Sequence, residues 1–467
     1  MDKGVTILGA GLSGLSAGHA LARAGVPVRV IEKEPYVGGL AASFRSGAFT
    51  YDLGPHRFHS HNPAVLDHVK GILRENYDYR ERRSRIFMWD QFFNYPLQAS
   101  NVLRNLPPSF LLRAFADYVG IRIYNAIRPI PDDCFENWVK KRFGHTLYQM
   151  FFGTYTEKAW GMPCSQISAD WAAQRITLFN LWDTVKKTLF KPQNVPRTYV
   201  SRFIYPKEGG IGAISRAYAE GIREGGGEVV VNARIQRIDV QGKRAAGISF
   251  TAGGKEYAWP VDQLISTIPC TTLLHYLEPA APEPVRRANA GLNHVAIVFV
   301  IFDVAKERVT DDHWIYLPSQ DLTVHRISEF KNFSERNGPK DRTILCAEIT
   351  CRKGDRIWNA DAGFLKATAV SDLGKLGLVQ PGSVGRARIH RASHAYPLYD
   401  LTYKRNLDVL LSYLNAFENL KTGGRQGLFK YNNMDHSIEM GLQMAEAILS
   451  GEGMDHRQIA SERRYFG

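Results

Sequence analysis

Between Val5 and Lys33 the spacing of apolar residues changes twice. A short apolar run ends in Gly9-Ala10-Gly11-Leu12-Ser13-Gly14, and an alanine-rich stretch with helical spacing then reaches Ala24. Gly25 interrupts it, and Val26 to Ile31 reads as a second strand closed by Glu32. The order is strand, tight turn, helix, strand. Alternation predicts a hairpin over Ala41 to Tyr51, turned by Asp52-Leu53-Gly54-Pro55, and a strand pair over Ser84 to Tyr95 ended by Pro96-Leu97-Gln98. Asn62 to Leu73 has helical spacing, and Leu103 to Lys191 is mostly helical and rich in aromatic residues.

Past Gly209-Gly210 a helix is expected over Ile211 to Glu224, stopped by Gly225-Gly226-Gly227. Strands are expected at Glu228 to Asn232, in a meander over Ile235 to Val240 and Ala246 to Ala258, and at Gln263 to Ile268 before Pro269. A second sheet is expected from Val295 to Asp303 and Thr343 to Cys351, with Trp314 to Pro318 and Thr323 to Phe330 between them. Ala360 to Leu376 and Arg405 to Leu414 read as helices. So does Asp435 to Ser450, where Asp435 or Ser437 can cap a helix presenting Ile438, Leu442, Ala445 and Ile448 on one face.

Helix followed by strand, set around a helical and aromatic block, predicts an α/β nucleotide-binding domain with an inserted mixed α+β domain. The expected boundaries are residues 1–85, 201–270 and 386–467 for the first domain and 86–200 and 271–385 for the second. The glycines of the first turn have separate tasks. Gly9 makes the bend, Gly11 lets the backbone approach a pyrophosphate, and Gly14 lets the helix lie close to the sheet. The helix N-terminus offers unpaired N–H groups to that anion. Glu32 is placed to accept from a ribose hydroxyl, and the Gly38-Gly39 pair adds to the signal. His56, His59 and His61 suggest a metal at first sight, but no Cys, Asp or Glu stands at ligand spacing. No metal is expected, and one imidazole, His56, is placed against the ring of the cofactor.

Composition adds constraints. At 467 residues two domains are expected, and 44% hydrophobic with 22% charged residues is the balance of a soluble globular protein. The longest later apolar run, Val295 to Phe302, is too short to cross a bilayer, and no targeting segment is read at the start. Five scattered cysteines without a CxxC pair point to a reducing cytoplasm. The net charge of +13 gathers at Arg80, Arg82, Arg83 and Arg85, at Lys140, Lys141 and Arg142, and at Lys186, Lys187 and Lys191. No nucleic-acid module accompanies it, so the expected partner is an anionic small molecule, with peripheral contact to a membrane surface left open.

GAGLSGLSAGHALARAG, IEKEPYVGGLAASFR and MDHSIEMGLQMAEAILSG resemble the FAD-binding flavoproteins that include amine oxidases, protoporphyrinogen oxidases and phytoene desaturases. The resemblance implies a Rossmann-type FAD-binding domain of the amine oxidase kind. A narrower resemblance, to the UDP-galactopyranose mutases, rests on GPHRFH, NYPLQ, TYTEKAWG, WAAQRI, HRISEF, AYPLYD and GRQGLFKYNNMDHS in that order. It implies FAD contacts at Gly9, Gly11, Ser13, Gly14, Glu32, Lys33, Gly39, Leu40, His56, Ile235, Arg425, Met434 and Ser437. It further implies a sugar-nucleotide diphosphate held by Arg175 and Arg326, with Tyr155, Trp160, Tyr399 and Tyr431 around the substrate. His56, Arg175, Arg326, Tyr399 and Tyr431 become the candidate catalytic residues. Guanidinium suits the diphosphate because it stays charged and presents forked donors. The helix opening at Asp435, aimed at a flavin pyrimidine edge, would stabilise a reduced ring.

The implied chemistry is redox-neutral, with reduced flavin as nucleophile in the exchange of pyranose and furanose rings. Two departures stand out. Phe179 occupies the place of a second arginine in bacterial mutases, and Asn432 and Asn433 replace the Tyr and Asp that often follow the Lys-Tyr pair. Three readings remain open: a mutase on a nucleotide-linked or lipid-linked sugar, an FAD-dependent oxidase or desaturase, and a flavin-binding partner without turnover. The aromatic, helix-rich Phe110 to Phe190 region, lining an apolar pocket or facing a membrane, would favour the second.

Overall fold

The first strand, Val5–Leu8, is the middle of a five-stranded parallel sheet in the order Leu420–Thr422, Gln263–Ser266, Val5–Leu8, Val28–Ile31, Glu228–Val230. All four of its residues are buried, as expected for a strand covered on both faces. The computed structural model describes residues 4–95, 101, 104–175 and 201–451, except for the side chains at 174 and 175. The expectations at Pro96 to Gln98, at Phe179, at Lys186, Lys187 and Lys191, and for the Arg175 side chain lie outside the described residues.

Helix Leu12–Arg23 carries small residues where its neighbours press on it. A Cβ at Gly18 would stand 3.0 Å from Ile222 of helix Ala213–Glu224, and one at Gly441 of helix Met434–Ser450 would run into Ser13 and Ser16. Close approach also allows the Ser16 hydroxyl to reach the Ile438 carbonyl at 3.1 Å. The second strand begins at Val28 rather than Val26. The Val26 amide donates back to the helix at Leu21, and Pro27 has no N–H to give to a ladder. The meander is three strands, Ala233–Gln241, Arg244–Ala252 and Lys255–Pro260, because Gly253 and Gly254 turn the chain with φ of 56° and 76°.

A second sheet has seven strands: Arg388–Pro397, His294–Val304, Thr343–Cys351, Arg326–Glu329, Trp314–Tyr316, Ser84–Met88, Gln91–Asn94. Helix Ala362–Lys375, capped by Asp361, lays Leu365, Ala369, Val370 and Leu373 on Val298, Val300, Phe302, Ala347 and Ile349. Each of the Leu, Val, Ile and Phe side chains among them contributes about 1.5–3 kcal/mol by leaving water. Helices Pro108–Ile127, Phe135–Phe143, Thr154–Trp160 and Ala169–Arg175 supply the helical block expected from the sequence.

The described residues divide into two units, those within 4–79, 203–294 and 402–451 in the first and those within 80–202 and 295–401 in the second. The expected boundaries at 85, 270 and 385 therefore shift. Strand Ser84–Met88 belongs to the seven-stranded sheet, as does the edge strand Arg388–Pro397. Helix Glu283–Ala290 belongs to the first unit.

Candidate functional site

The Gly9 bend (φ 96°) releases the chain from the first strand, and helix Leu12–Arg23 starts with Gly11 as its cap. Ala10, between them, is held from both sides. Its amide donates to Glu32 Oε2 at 2.8 Å and its carbonyl accepts from Gly38 N at 2.7 Å. Glu32 Oε1 accepts from Glu34 N at 2.9 Å. Burial pushes the Glu32 carboxyl above the usual range, and the two amide bonds pull against that shift. Each carboxylate oxygen retains a lone pair, so a ribose hydroxyl can still donate to it. Beside it, Ala233 N donates to the Glu32 carbonyl at 2.8 Å, which brings the strand of Ile235 alongside.

The three glycines differ in what excludes a side chain. A Cβ at Gly9 would meet Thr267 Oγ1 at 2.8 Å, and one at Gly14 would strike the Gly9 carbonyl. At Gly11 a Cβ would meet no heavy atom within 4 Å, and φ −75°, ψ 175° is open to any residue. Nothing inside the protein calls for glycine there, and the open space beside the helix N-terminus fits a dinucleotide pyrophosphate. Gly39, with its Cβ position 3.7 Å from Gly11 Cα, borders the same space and precedes Leu40.

Helix Met434–Ser450 meets this turn. Ser13 Oγ donates to the Ser437 carbonyl, and a Cβ at Gly424 would stand 2.8 Å from Ser13 Oγ. Thus Ser13, Gly424 and Ser437 come together. Arg425 lies over the Tyr431 ring at 4.3 Å and donates from Nη1 to the Asn432 carbonyl at 2.7 Å. The cap of helix Met434–Ser450 is Asn433, not Asp435 or Ser437 as expected. His436 Nδ1 accepts from Asn433 N at 3.2 Å in a capping box, while the Ser437 hydroxyl donates to Asn432 Oδ1 at 3.3 Å. Lys33 is exposed and pairs with Glu34 at 3.4 Å.

A buried carboxylate missed in the sequence supports the cradle. Asp52 is fully buried, with Oδ1 accepting from Ser43 Oγ at 2.5 Å and Ile211 N at 3.2 Å, and Oδ2 from Tyr205 at 2.7 Å. Burial pushes its carboxyl up to about 6. It ties hairpin Ser43–Asp52 to the start of helix Ala213–Glu224, and half-buried His56 follows two residues after Gly54 (φ 91°). His59 and His61 have ring centres 6.3 Å apart. No group of three His, Cys, Asp or Glu side chains among the described residues is arranged for a metal.

The second unit has its own cluster. Arg326 donates from Nε to Glu348 Oε1 at 2.7 Å and from Nη2 to Oε2 at 2.6 Å, and Nη2 also reaches the Tyr396 hydroxyl at 3.3 Å. Glu348 is wholly buried and the Arg326 side chain is 16% exposed. Burial opposes the guanidinium charge, but the Glu348 carboxylate overrides it and holds Arg326 well above its usual pKa. Around this pair stand aromatic rings: Tyr155 against Tyr316 at 5.5 Å, Trp160 against Tyr396 at 5.7 Å and Trp171 at 4.6 Å, and Trp171 against Tyr399 at 6.3 Å. Tyr316 is the register partner of Arg326. Lys158 anchors their helix by donating to the carbonyls of Leu317, Ser319 and Val324 at 2.7–2.8 Å, and burial pushes its ammonium down to about 8.

Of the substrate residues named from sequence, Tyr155, Trp160, Arg326 and Tyr399 thus lie in one cluster of the second unit, whereas His56 and Tyr431 belong to the first. The backbone of Arg175 closes helix Ala169–Arg175, four residues after Trp171. Glu348, Tyr396 and Tyr316 were missed. Glu348 left a trace, an acid alone in the apolar run Thr343 to Cys351.

The flavin containing amine oxidoreductase family profile matches residues 12–452. A probable UDP-galactopyranose mutase of Klebsiella pneumoniae is 26% identical over 206 residues, 44% of this chain and 52% of that protein. A 4,4'-diapophytoene desaturase (4,4'-diapolycopene-forming) of Methylomonas sp is 25% identical over 288 residues, 54% and 52% of the two chains. The chain thus spans about half the length of these curated relatives. Among solved structures, a reduced UDP-galactopyranose mutase aligns over 100% of both chains with a TM-score of 0.85 at 22% identity. A putative protoporphyrinogen oxidase from Exiguobacterium sp. 255-15 gives 0.71 at 15% identity, covering 97% of this chain and 100% of that one. At these identities the likeness establishes the fold, mixed α/β of the flavin amine oxidase type. With the family match spanning nearly the whole sequence and a cradle that fits a dinucleotide, this chain belongs to the flavin containing amine oxidoreductase family and binds FAD.

Proposed function

We propose that the protein is a UDP-galactopyranose mutase-like enzyme that interconverts pyranose and furanose forms of a nucleotide-linked sugar, acting in the cytoplasm. The observation that carries this reading is Arg326: a buried guanidinium whose Nε–Nη2 edge is committed to Glu348, leaving Nη1 as the edge for a phosphate oxygen, inside a ring of aromatic side chains. When bound and reduced, FAD would supply the nucleophile for the anomeric carbon. Arg326, joined in the proposal by Arg175, holds the diphosphate during its departure. In the second unit Tyr155, Trp160 and Tyr399 cover the sugar and exclude water; in the first unit His56 and Tyr431, over whose ring Arg425 lies, are the candidate residues for the flavin. Because Arg326 and Glu348 together are neutral, a second cation is needed to balance a diphosphate, and Arg175 is the proposed source.

The test is direct. Yellow protein reduced anaerobically is mixed with UDP-galactopyranose, and the products are separated by ring size; a UDP-galactofuranose peak is expected. No conversion with any UDP-sugar by the reduced protein would end the proposal. A second reading, an FAD-dependent oxidoreductase, has one observation in its favour: the match to the desaturase runs over 288 residues against 206 for the mutase. Peroxide release, or loss of hydrogen from an amine, porphyrinogen or polyene substrate, would select it.

A further inference from the structure

Helix Pro108–Ile127 turns an apolar face to solvent. On its inner side Ala114 is buried, and Leu111, Asp117, Tyr118, Ile121 and Asn125 are half-buried. On the opposite side Leu112 is 71% exposed, Phe115 58%, Val119 38%, Ile123 58% and Ile127 75%. At 3.6 residues per turn these five fall within a sector about 120° wide. Exposed Ala116 and Ala126 fill its gaps, and no polar side chain between Leu112 and Ile127 falls inside it. Scattered apolar side chains on a surface need no explanation; a continuous stripe four turns long does.

The rim of the stripe has one sign. Arg113 borders it on one edge and Arg122 on the other, both exposed, with exposed Arg104 and Arg128 beyond the two ends. The one carboxylate of the helix, Asp117, is on the inner side, where it accepts from Thr146 N at 2.5 Å. Trp89, 55% exposed, stacks edge-on against Phe110 at 5.5 Å near the N-terminal end of the helix. No helix among the described residues is long and apolar enough to cross a membrane.

We infer that helix Pro108–Ile127 is an in-plane membrane-docking element that seats this apolar stripe, with its arginine rim, on the surface of an anionic phospholipid bilayer. The chemistry favours lipid over a second copy of the chain. An isologous pairing sets the same surface against itself, so arginine rim would meet arginine rim with no exposed carboxylate on the helix to answer it. Anionic head groups supply the missing negative charge at the depth where the side chains between them enter the acyl boundary. An aromatic ring such as Trp89 suits the same interface. The inference does not depend on which reaction the flavin performs.

The experiment is vesicle flotation with the full-length holoprotein, using phosphatidylcholine vesicles with and without phosphatidylglycerol. Wild type is expected to float with the anionic vesicles, to stay behind with the neutral ones, and to be released as salt rises. Leu112→Asp combined with Ile123→Asp, at positions more than half exposed, should lower partition about tenfold or more while the yellow colour and melting temperature stay put. Arg113→Gln combined with Arg122→Gln, which leaves the apolar stripe intact, should do the same. Failure of wild type to float with anionic vesicles, or unchanged flotation of both double variants, overturns the inference. So does sedimentation showing a wild-type dimer that the aspartate variant converts to a monomer, which would assign the face to a second copy.

Discussion

Arg326 and Glu348 face each other in register on neighbouring antiparallel strands, joined by two hydrogen bonds of 2.7 and 2.6 Å. A pair so placed makes Arg326 structural as well as a candidate phosphate ligand, and the roles can be separated. Arg326→Ala should lose about 3–5 kcal/mol of stability, because it strands a buried carboxylate. Replacing both residues by Met should recover most of that loss in urea unfolding. Affinity for UDP-sugar, read by titration, should fall about tenfold or more in both variants, the cost of a charge-assisted contact.

Gly11→Val should fold normally and be colourless. A Cβ at this position meets no protein atom within 4 Å, and the backbone there is ordinary. Far-UV circular dichroism and the melting temperature of the apoprotein should match those of wild-type apoprotein, while the flavin absorbance is lost. A yellow variant would contradict the placement of the pyrophosphate.

Two buried groups pull stability in opposite directions on acidification. Burial, helped by His68 and Arg23, pushes His19 from 6.5 down to about 4; the unfolded chain therefore binds the proton first, and this contribution is lost as pH falls from 6.5 towards 4. Asp52, pushed from 3.8 up to about 6, binds its proton first in the fold, so its contribution is present in acid and lost as pH rises through 6. His19→Phe should make the melting temperature less sensitive to a drop from pH 7 to pH 5, and Asp52→Asn more sensitive. Melting curves at the two pH values decide it.

Asn433→Ala should lower stability by about 1 kcal/mol, the usual cost of an N-cap, whereas Ser437→Ala should change little because its hydroxyl does not cap. Thermal unfolding of the two variants side by side tests this assignment.

Much of the fold was legible because its signals are local. The Gly9 bend, the hairpin over Ser43–Asp52 and strand Thr343–Cys351 each follow from period or from a glycine, and the helices of the second unit from spacing alone. Less legible was whatever depends on distant partners. Asp52 reads as a turn residue until Tyr205 and Ile211 close on it, and Glu348 makes sense only opposite Arg326. Caps suffered from ambiguity: Asn433, Asp435 and Ser437 are all good N-cap residues within five positions, and His436 reaching back to the Asn433 amide decides among them. The sector on Pro108–Ile127 was written in the sequence too, but helical spacing cannot say which of two apolar faces looks outward.

Strand Leu420–Thr422 is the last to join the parallel sheet, alongside Gln263–Ser266, which itself lies beside Val5–Leu8. During synthesis strand Val5–Leu8 and the glycine bend are made early, yet their sheet stays incomplete until more than four hundred further residues have followed. The helix that packs on Ser13 and Ser16 comes later still. A nascent chain therefore has no finished flavin cradle to offer until helix Met434–Ser450 has been made.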